Sequence, residues 1–354
     1  MLCPMDASGG AVVAYSPGRV NLIGDHTDYN EGLALPMAID LGTTVYVEPA
    51  DTARLLVRSD SEAGSADVAI DVPLDPDLLR RLQPPWARLV AATVAVVRPQ
   101  CGGWATVTST VPVGAGLSSS AALEVALALA LGFEGPPLAL ARACQRAEHA
   151  ATGVPSGLLD QLAVTGAVEG CALLIDFASN TTTTVAVPED VEILVVHSGV
   201  RRALAHTAYA ARRAECDAAA FRLGPLGRIE PEAAIALPDA VLRRRARHVV
   251  TECDRVRWFA QALEQHDLVE AGRLLRASHR SLAEDFEVST PELDELVAEL
   301  SAMPGVYGAR LTGAGFGGCV VALSEPGAID PATLGRPAWR VRPSAAARVV
   351  QGSA

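Results

Sequence analysis

The stretch that decides the fold is VPVGAGLSSSAA, residues 111–122. It follows an alternating apolar and polar pattern over residues 104–111, typical of a β-strand, and it opens an apolar helical pattern over residues 120–131. Glycine permits close backbone approach, and the free N–H groups at a helix start attract anions. This predicts a phosphate-binding loop, with a serine-capped tight turn as the simpler alternative. The candidate residues are Gly114, Ala115, Gly116, Leu117, Ser118, Ser119 and Ser120.

Strands and helices alternate before and after this loop, and the second half of the chain is mainly helical. Predicted strands cover residues 11–15, 41–47, 172–176 and 191–196. Predicted helices cover residues 138–151, 204–221, 240–264 and 268–285, with another entered at Thr290-Pro291 and a strand–glycine loop–strand over 306–323. The polar stretch 179–184 suggests a boundary between two domains, residues 1–182 and 183–354.

Composition excludes several classes of protein. The net charge of −12 argues against a nucleic-acid partner, because a phosphate backbone needs a basic surface. The seven cysteines occur singly, without a CxxC pair, so neither a disulfide framework nor a zinc site is expected. The start of the chain has no secretory signal pattern, and the most apolar stretch, residues 121–131, is too short to cross a bilayer. We therefore expect a cytoplasmic protein without membrane contact.

The sequence contains no lysine, so all 29 basic residues are arginine. Walker-type P-loops and protein kinases place a lysine at the ATP phosphates, and Schiff-base enzymes need one as nucleophile. All three classes are excluded. A bound triphosphate would have to be neutralised by a metal, by backbone N–H groups and by arginine.

Two further segments are rich in potential ligands. Residues 17–29, PGRVNLIGDHTDY, end in two carboxylates, a histidine and a tyrosine, which is a set suited to sugar hydroxyls, although a solvated turn is the simpler interpretation. Asp160 stands among leucines, so it needs a cation or a substrate as partner unless it is an ordinary helix-start aspartate. His149 is interpreted as a packed helix residue.

The glycine loop at residues 312–319, TGAGFGGC, formally matches the dinucleotide-binding pattern GxGxxG. A dinucleotide fold requires a helix after the loop, and a strand pattern follows here, which excludes that interpretation. A glycine-rich hairpin or a flexible loop beside a substrate remains.

Taken together, residues 18–29, 112–122 and 313–319 resemble the motifs of the GHMP small-molecule kinases, and within them the galactokinase family. The resemblance implies an α+β two-domain GHMP kinase fold, with an N-terminal domain like ribosomal S5 domain 2 and a ferredoxin-like C-terminal domain. It also implies ATP and Mg²⁺ as cofactors, and transfer of the γ-phosphoryl group to the anomeric C1 hydroxyl of galactose.

Roles at individual positions follow from the same resemblance. Asp160 would be the general base, and Arg19 would hold it ionised and offset charge on the phosphoryl group. Ser120 and Glu148 would be Mg²⁺ ligands. Asp25 stands where the family usually has glutamate, which leaves its contact with the sugar open. The residues that would hold sugar hydroxyls are Asp25, His26, Asp28 and Tyr209.

Two alternatives stay open at this point. The same fold could act on another monosaccharide, such as N-acetylgalactosamine, arabinose or galacturonate. The chain could also resemble the inactive relatives that sense sugar and ATP, but residues 118–122, Asp160 and Arg19 are intact, which favours catalysis. A monomer is expected.

Overall fold

The computed structural model describes residues 10–200 and 205–351. Several sequence predictions fall on residues outside these ranges. They concern the start of the chain, where no secretory signal is expected, Cys3, the first residue of the helix predicted from 204, and the outer ends of both predicted domains. Every element named below lies within residues 10–200 and 205–351.

The first half of the chain is rich in strands and the second half in helices. The strands are β1 (Val12–Ile23), β2 (Leu33–Ala50), β3 (Arg54–Ser59), β4 (Ser65–Ala69), β5 (Gly102–Ser109), β6 (Cys171–Asp176), β7 (Thr181–Ala186), β8 (Glu192–His197), β9 (Val306–Thr312), β10 (Cys319–Ser324), β11 (Ala338–Val341) and β12 (Arg348–Gln351). The α-helices are α1 (Pro76–Leu79), α2 (Ala87–Val97), α3 (Ser119–Ala130), α4 (Pro137–Thr152), α5 (Leu159–Thr165), α6 (Ala205–Leu223), α7 (Pro231–Ile235), α8 (Ala240–Glu264), α9 (Leu268–Glu284) and α10 (Pro291–Ser301). Short 3-10 turns occupy Asp28–Asn30, Leu226–Arg228 and Pro331–Thr333.

Two sheets organise the molecule. The first has eight strands, with the path β12-β1-β2-β5-β3-β4 and with β6 joining β2 to β7. Its strands pair antiparallel except for β3 with β5. Helices α2, α3 and α5 pack on this sheet, and α4 packs against those three helices. The second sheet has four antiparallel strands in the order β11-β8-β10-β9, with α9 and α10 against β9. These layers place apolar side chains of both sheets in protected interiors, as packing requires.

One of the apolar cores is shared between the sheets. Met37 of β2, Phe259 of α8, Leu274 of α9 and Val321 of β10 belong to the same buried cluster. Because burial of apolar surface is the main stabilising contribution, this shared core holds the two halves together. The ends of β1 and β9 therefore meet in a fixed arrangement, where the candidate site lies.

Most predicted elements agree with the structure. The helix predicted over residues 240–264 coincides with α8, and Thr290 caps α10, its hydroxyl accepting the Leu293 N–H at 3.4 Å. A strand follows the glycine loop directly, as predicted, so the dinucleotide interpretation stays excluded. The division predicted at 182/183 falls inside β7, a strand of the first sheet, so the two sheets separate between β7 and β8.

Two further observations bear on the class of protein. No helix in residues 10–200 and 205–351 is both long and apolar enough to span a membrane. Cys144, Cys171, Cys216 and Cys253 are free thiols, which agrees with the absence of a disulfide framework around them.

Candidate active site

An ion pair joins strand β1 to the first turn of α5. Arg19 donates through Nε to Asp160 Oδ1 at 2.8 Å, and its Nη2 lies 2.6 Å from the same oxygen. The guanidinium side chain is 7% exposed and the carboxylate 30%, so the cation is buried and the carboxylate faces a cavity. The structure therefore brings together the two residues predicted to be catalytic.

The predicted phosphate loop lies directly against this pair. Arg19 Nη1 donates to the carbonyl of Gly116 at 2.6 Å, and the Ser118 hydroxyl donates to Asp160 Oδ2. Gly18 allows the close approach, because a Cβ there would lie 2.8 Å from the carbonyl oxygen of Leu117. The loop and the candidate base thus form one unit.

The loop ends at a helix start. Ser118 takes a left-handed conformation with φ of 58°, and α3 begins at the next residue. The first turn of a helix presents N–H groups that have no partner within the helix, and the dipole makes this end favourable for anions. A side chain at Gly114 would meet nothing within 4 Å, so the loop is open on that side. This is a suitable place for phosphate groups.

A cavity of ≈ 250 Å³ lies beside the ion pair. Besides Arg19 and Asp160, it is lined by Glu148 of the predicted metal pair and by the start of the glycine loop, whereas the predicted phosphate-binding residues 114–120 do not line it. The lining residues predicted to hold sugar hydroxyls are Asp25, His26, Asp28 and Tyr209.

Asp28 is a lining carboxylate whose ionisation is changed by burial. Its burial in the cavity raises its pKa to about 6, and the neighbouring charge of Asp160 adds to the shift, although N–H groups of Tyr29 and Leu159 oppose it. A Cβ on Gly157 would lie 1.5 Å from Asp28 Oδ2. The absence of a side chain at residue 157 therefore makes room for this carboxylate.

His26 is neutral and fully engaged with the protein. Burial lowers its pKa to about 3, so the ring carries one N–H. Nε2 lies 3.2 Å from the Ala314 carbonyl oxygen and must be the donor, which leaves Nδ1 to accept the hydroxyl of Tyr29 at 2.9 Å. A sugar hydroxyl can bind this ring only by replacing one of these partners.

Asp25 has a similar position at the base of the cavity. Its Oδ1 accepts the Gly313 N–H at 3.1 Å, and its Oδ2 pairs with Arg310. Arg310 also donates to the Leu22 carbonyl at 2.9 Å, so β9 binds the end of β1. Asp25, which stands where the family usually has the longer glutamate, thus lines the cavity with both carboxylate oxygens already paired.

Tyr209 closes one side of the cavity from α6. Its ring centroid lies 5.6 Å from that of Tyr29 in an edge-to-face arrangement and 5.7 Å from the ring of His26. Burial raises the pKa of its hydroxyl well above the usual range, so the group is a neutral donor and acceptor. The ring thus offers an apolar surface for packing, with a hydroxyl at its tip for a hydrogen bond.

Ser120 and Glu148 form the predicted metal pair. The Ser120 hydroxyl donates to Glu148 Oε1 at 3.0 Å, while Ser156 and Gln161 donate to Oε2 at 2.9 and 3.0 Å. The described residues hold no group of three or more His, Cys, Asp or Glu side chains that could bind a metal by themselves. Two adjacent oxygens nevertheless suit Mg²⁺, which commonly takes one or two protein ligands and completes its shell with water and phosphate.

A second cavity, of ≈ 150 Å³, lies on the other side of the metal pair. Ser119 and Ser120 line it together with apolar side chains that include Trp86 and Leu123. The Trp86 indole is fixed by donating to the Ala63 carbonyl at 3.1 Å. Sequence reasoning did not find this cavity, because its walls come from five separate segments.

Sequence reasoning also missed the titratable residues of α8 that bind the backbone of residues 24 and 25. Glu252 of α8 accepts the Gly24 N–H at 3.1 Å, and His248 Nε2 contacts the Asp25 carbonyl at 3.1 Å. Burial alone would raise the pKa of Glu252, but Arg255 and His248 lower it to about 2. The sequence offered one signal of these contacts, which is Arg310. A charged residue within an apolar strand pattern indicates a buried partner of opposite charge.

Comparison with known proteins agrees with this geometry. Residues 6–49 match the galactokinase galactose-binding signature, residues 88–167 the GHMP kinase N-terminal domain, and residues 259–333 the GHMP kinase C-terminal model. The galactokinase of Homo sapiens is 43% identical over 328 residues, which is 88% of this chain and 83% of that protein. The galactokinase of Mycobacterium tuberculosis H37Ra is 43% identical over 324 residues, 87% of each chain.

Solved structures give the same result. The crystal structure of Lactococcus lactis galactokinase complexed with galactose superposes with a TM-score of 0.87 at 30% identity, covering 97% of this chain and 96% of that one. The mevalonate kinase of Methanococcus jannaschii shares the fold, with a TM-score of 0.66 at 19% identity and coverage of 94% and 98%. The predicted fold class is confirmed, and the chain belongs to the galactokinase family of the GHMP kinases.

Proposed function

We propose that this chain transfers the γ-phosphoryl group of ATP to the C1 hydroxyl of galactose, giving galactose 1-phosphate and ADP. The observation that carries the proposal is the Arg19–Asp160 ion pair, which faces the cavity and touches the phosphate loop through Gly116 and Ser118. A carboxylate, a fixed cation and an anion-binding helix start are what phosphoryl transfer to an alcohol requires.

Asp160 is the proposed general base. It takes the proton of the C1 hydroxyl as that oxygen bonds to the γ-phosphorus, and the bond from the γ-phosphorus to the bridging oxygen of ADP breaks. Arg19 supplies a positive charge 2.6 Å from the carboxylate and holds it in place, and the guanidinium adds to the field at the transferring group. Positioning and charge stabilisation account for most of catalysis in such transfers.

The sugar is proposed to bind in the cavity of ≈ 250 Å³ through Asp25, His26, Asp28 and Tyr209. Asp28 is the strongest candidate, since its carboxylate lines the cavity beside Asp160 and has room next to Gly157. Charge-assisted hydrogen bonds of this kind discriminate well between sugars that present or lack a hydroxyl.

Ser120 and Glu148 are the proposed ligands of Mg²⁺, which when bound would offset the charge of the β- and γ-phosphates. Their position supports this, because Ser120 lines the second cavity and Glu148 lines the first. We propose that the adenine base enters the second cavity, where Trp86 and Leu123 offer an apolar surface. The triphosphate would then run along the loop from residue 114 to residue 120.

A coupled assay of ADP release over a panel of aldoses and amino sugars tests the proposal. Galactose should give the highest kcat/KM, and the product should lose its reducing activity because C1 carries the phosphate. Faster turnover of N-acetylgalactosamine, arabinose or galacturonate would favour the alternative of another monosaccharide. If no sugar releases ADP but sugar and ATP both bind, the chain is the non-catalytic sensor considered above.

Two further properties stay proposals. We expect a monomer, which sedimentation at micromolar concentration tests, and a cytoplasmic location, which cell fractionation tests.

A further inference from the structure

A buried glutamate lies one helical turn below the proposed metal pair. Glu124 follows Ser120 by four residues on α3, so the two side chains share one face of the helix. It is 0% exposed, and neither of its carboxyl oxygens has a hydrogen-bond partner of good geometry. A buried polar group of this kind is costly unless something satisfies it.

The side-chain amide of Gln161 also has a buried oxygen without a hydrogen-bond partner. Gln161 is 0% exposed and donates through Nε2 to Glu148 Oε2 at 3.0 Å, yet its Oε1 is buried without a partner. α5, which carries Gln161, packs against α3, and the Gln161 amide is the neighbour that opposes the rise in the pKa of Glu124. The two unsatisfied groups therefore belong to two helices that pack together, one turn beneath the site.

Protonation of Glu124 would let its carboxyl group and the Gln161 amide be hydrogen-bond partners of one another. The charges that act on Glu124 are the carboxylates of Glu148 and Asp160, and both oppose ionisation. Burial, together with these neighbours, raises the pKa of Glu124 well above its usual range. A neutral carboxyl group has one donor and one acceptor, and a primary amide is complementary to it in either orientation.

We propose that Glu124 is a positioning residue whose buried carboxyl group fixes the amide of Gln161 and through it the metal ligand Glu148. This inference rests on the proposed function, because it assumes that Glu148 binds Mg²⁺. Partners behind a metal ligand commonly set its orientation and its affinity. Since Gln161 also follows Asp160 on α5, the same contact steadies the first turn that carries the base.

Two substitutions of similar volume separate hydrogen bonding from charge and from packing. Glu124→Gln keeps a donor and an acceptor without a titratable group, whereas Glu124→Met fills the site without either. Leu127→Met, at another fully buried position of α3, is the matched packing control. Gln161→Leu removes the amide that stands between Glu124 and Glu148, including its hydrogen bond to Glu148.

The measurement is calorimetric binding of a non-hydrolysable ATP analogue with and without Mg²⁺, with thermal unfolding as a check of folding. Glu124→Met and Gln161→Leu should weaken the Mg²⁺-dependent part of binding roughly 10- to 100-fold. Glu124→Gln and Leu127→Met should bind as the parent does, and galactose affinity should not change in any of the four.

Parental Mg²⁺ dependence in Glu124→Met would overturn the inference, and so would a loss in Glu124→Gln equal to that in Glu124→Met. If Glu124→Met does not fold, the comparison of Gln161→Leu with Glu124→Gln decides in the same way. Ser120→Ala and Glu148→Gln keep the two proposals separate. If these two variants leave Mg²⁺ dependence unchanged, the metal pair itself is wrong.

Discussion

Gly157→Ala should damage sugar binding without damaging the fold. The added Cβ would lie 1.5 Å from Asp28 Oδ2 and 2.1 Å from its Cγ, so the carboxylate has to move. The backbone at residue 157 does not require positive φ, so alanine adds no conformational strain there. The displaced side chain also loses the N–H groups of Tyr29 and Leu159 that now hold it.

The size of the effect follows from the contact that is lost. A hydrogen bond to a charged group contributes about 1.5–3 kcal/mol, and about 1.4 kcal/mol corresponds to a tenfold change in binding. We therefore expect the KM for galactose to rise roughly 10- to 150-fold. The KM for ATP should stay close to that of the parent, because Asp28 does not touch the phosphate loop.

The assay is the coupled ADP-release measurement over a range of galactose concentrations, together with thermal unfolding. Gly153→Ala is the contrasting control, because a Cβ there meets nothing within 4 Å but the φ of +73° strains it. That control should lose stability and keep its KM. A KM for galactose within twofold of the parent in well-folded Gly157→Ala would refute the role given to Asp28.

Three further predictions concern the same site. Asp160→Asn should lower kcat by ~10²–10⁴-fold with both substrates still binding, since this is the usual contribution of a general base; near-normal turnover would remove Asp160 from that role. The raised pKa of Asp28, about 6, predicts that kcat/KM for galactose falls as the pH drops below 6, and an identical profile in Asp28→Asn would contradict the assignment. Because the pKa of Asp28 is higher in the folded protein than in the unfolded chain, the folded state binds this proton more tightly. Asp28 therefore stabilises the fold at low pH and loses that contribution as the pH rises through 6. Its protonation cannot cause acid unfolding. Ser120→Ala should increase the Mg²⁺ concentration needed for half-maximal activity, which an unchanged metal titration would disprove.

Local pattern predicted the long helices and the three loops well. α8 carries its apolar residues at helical spacing and begins after a capping aspartate, so its ends were evident from the sequence. The phosphate loop and the glycine loop were identified by residues whose effect is local, since glycine and serine determine backbone shape where they stand. The catalytic roles of Arg19 and Asp160 came from the resemblance, and their contact depends on the tertiary structure, which no local pattern contains.

Local pattern failed where a residue depends on distant partners. Arg310 pairs with Asp25 across 285 positions, and Glu252 holds Gly24 across 228, so no window of sequence contains either contact. α2 was missed because it is almost wholly apolar, which periodicity cannot distinguish from a buried strand. The polar stretch 179–184 suggested a domain boundary, and its threonines lie in β7, because β-branched polar residues also suit an exposed strand.

The pairing of β12 with β1 has a consequence for how the protein is made. β12 completes a sheet whose first strand, β1, left the ribosome long before, so that sheet stays incomplete until residue 351 has been synthesised. Pairings this remote in sequence form slowly, and until Arg348–Gln351 arrives the backbone edge of β1 is open to other chains. Production at lower temperature or with chaperones should therefore raise the soluble yield, and a nascent chain halted before residue 348 should aggregate through that edge.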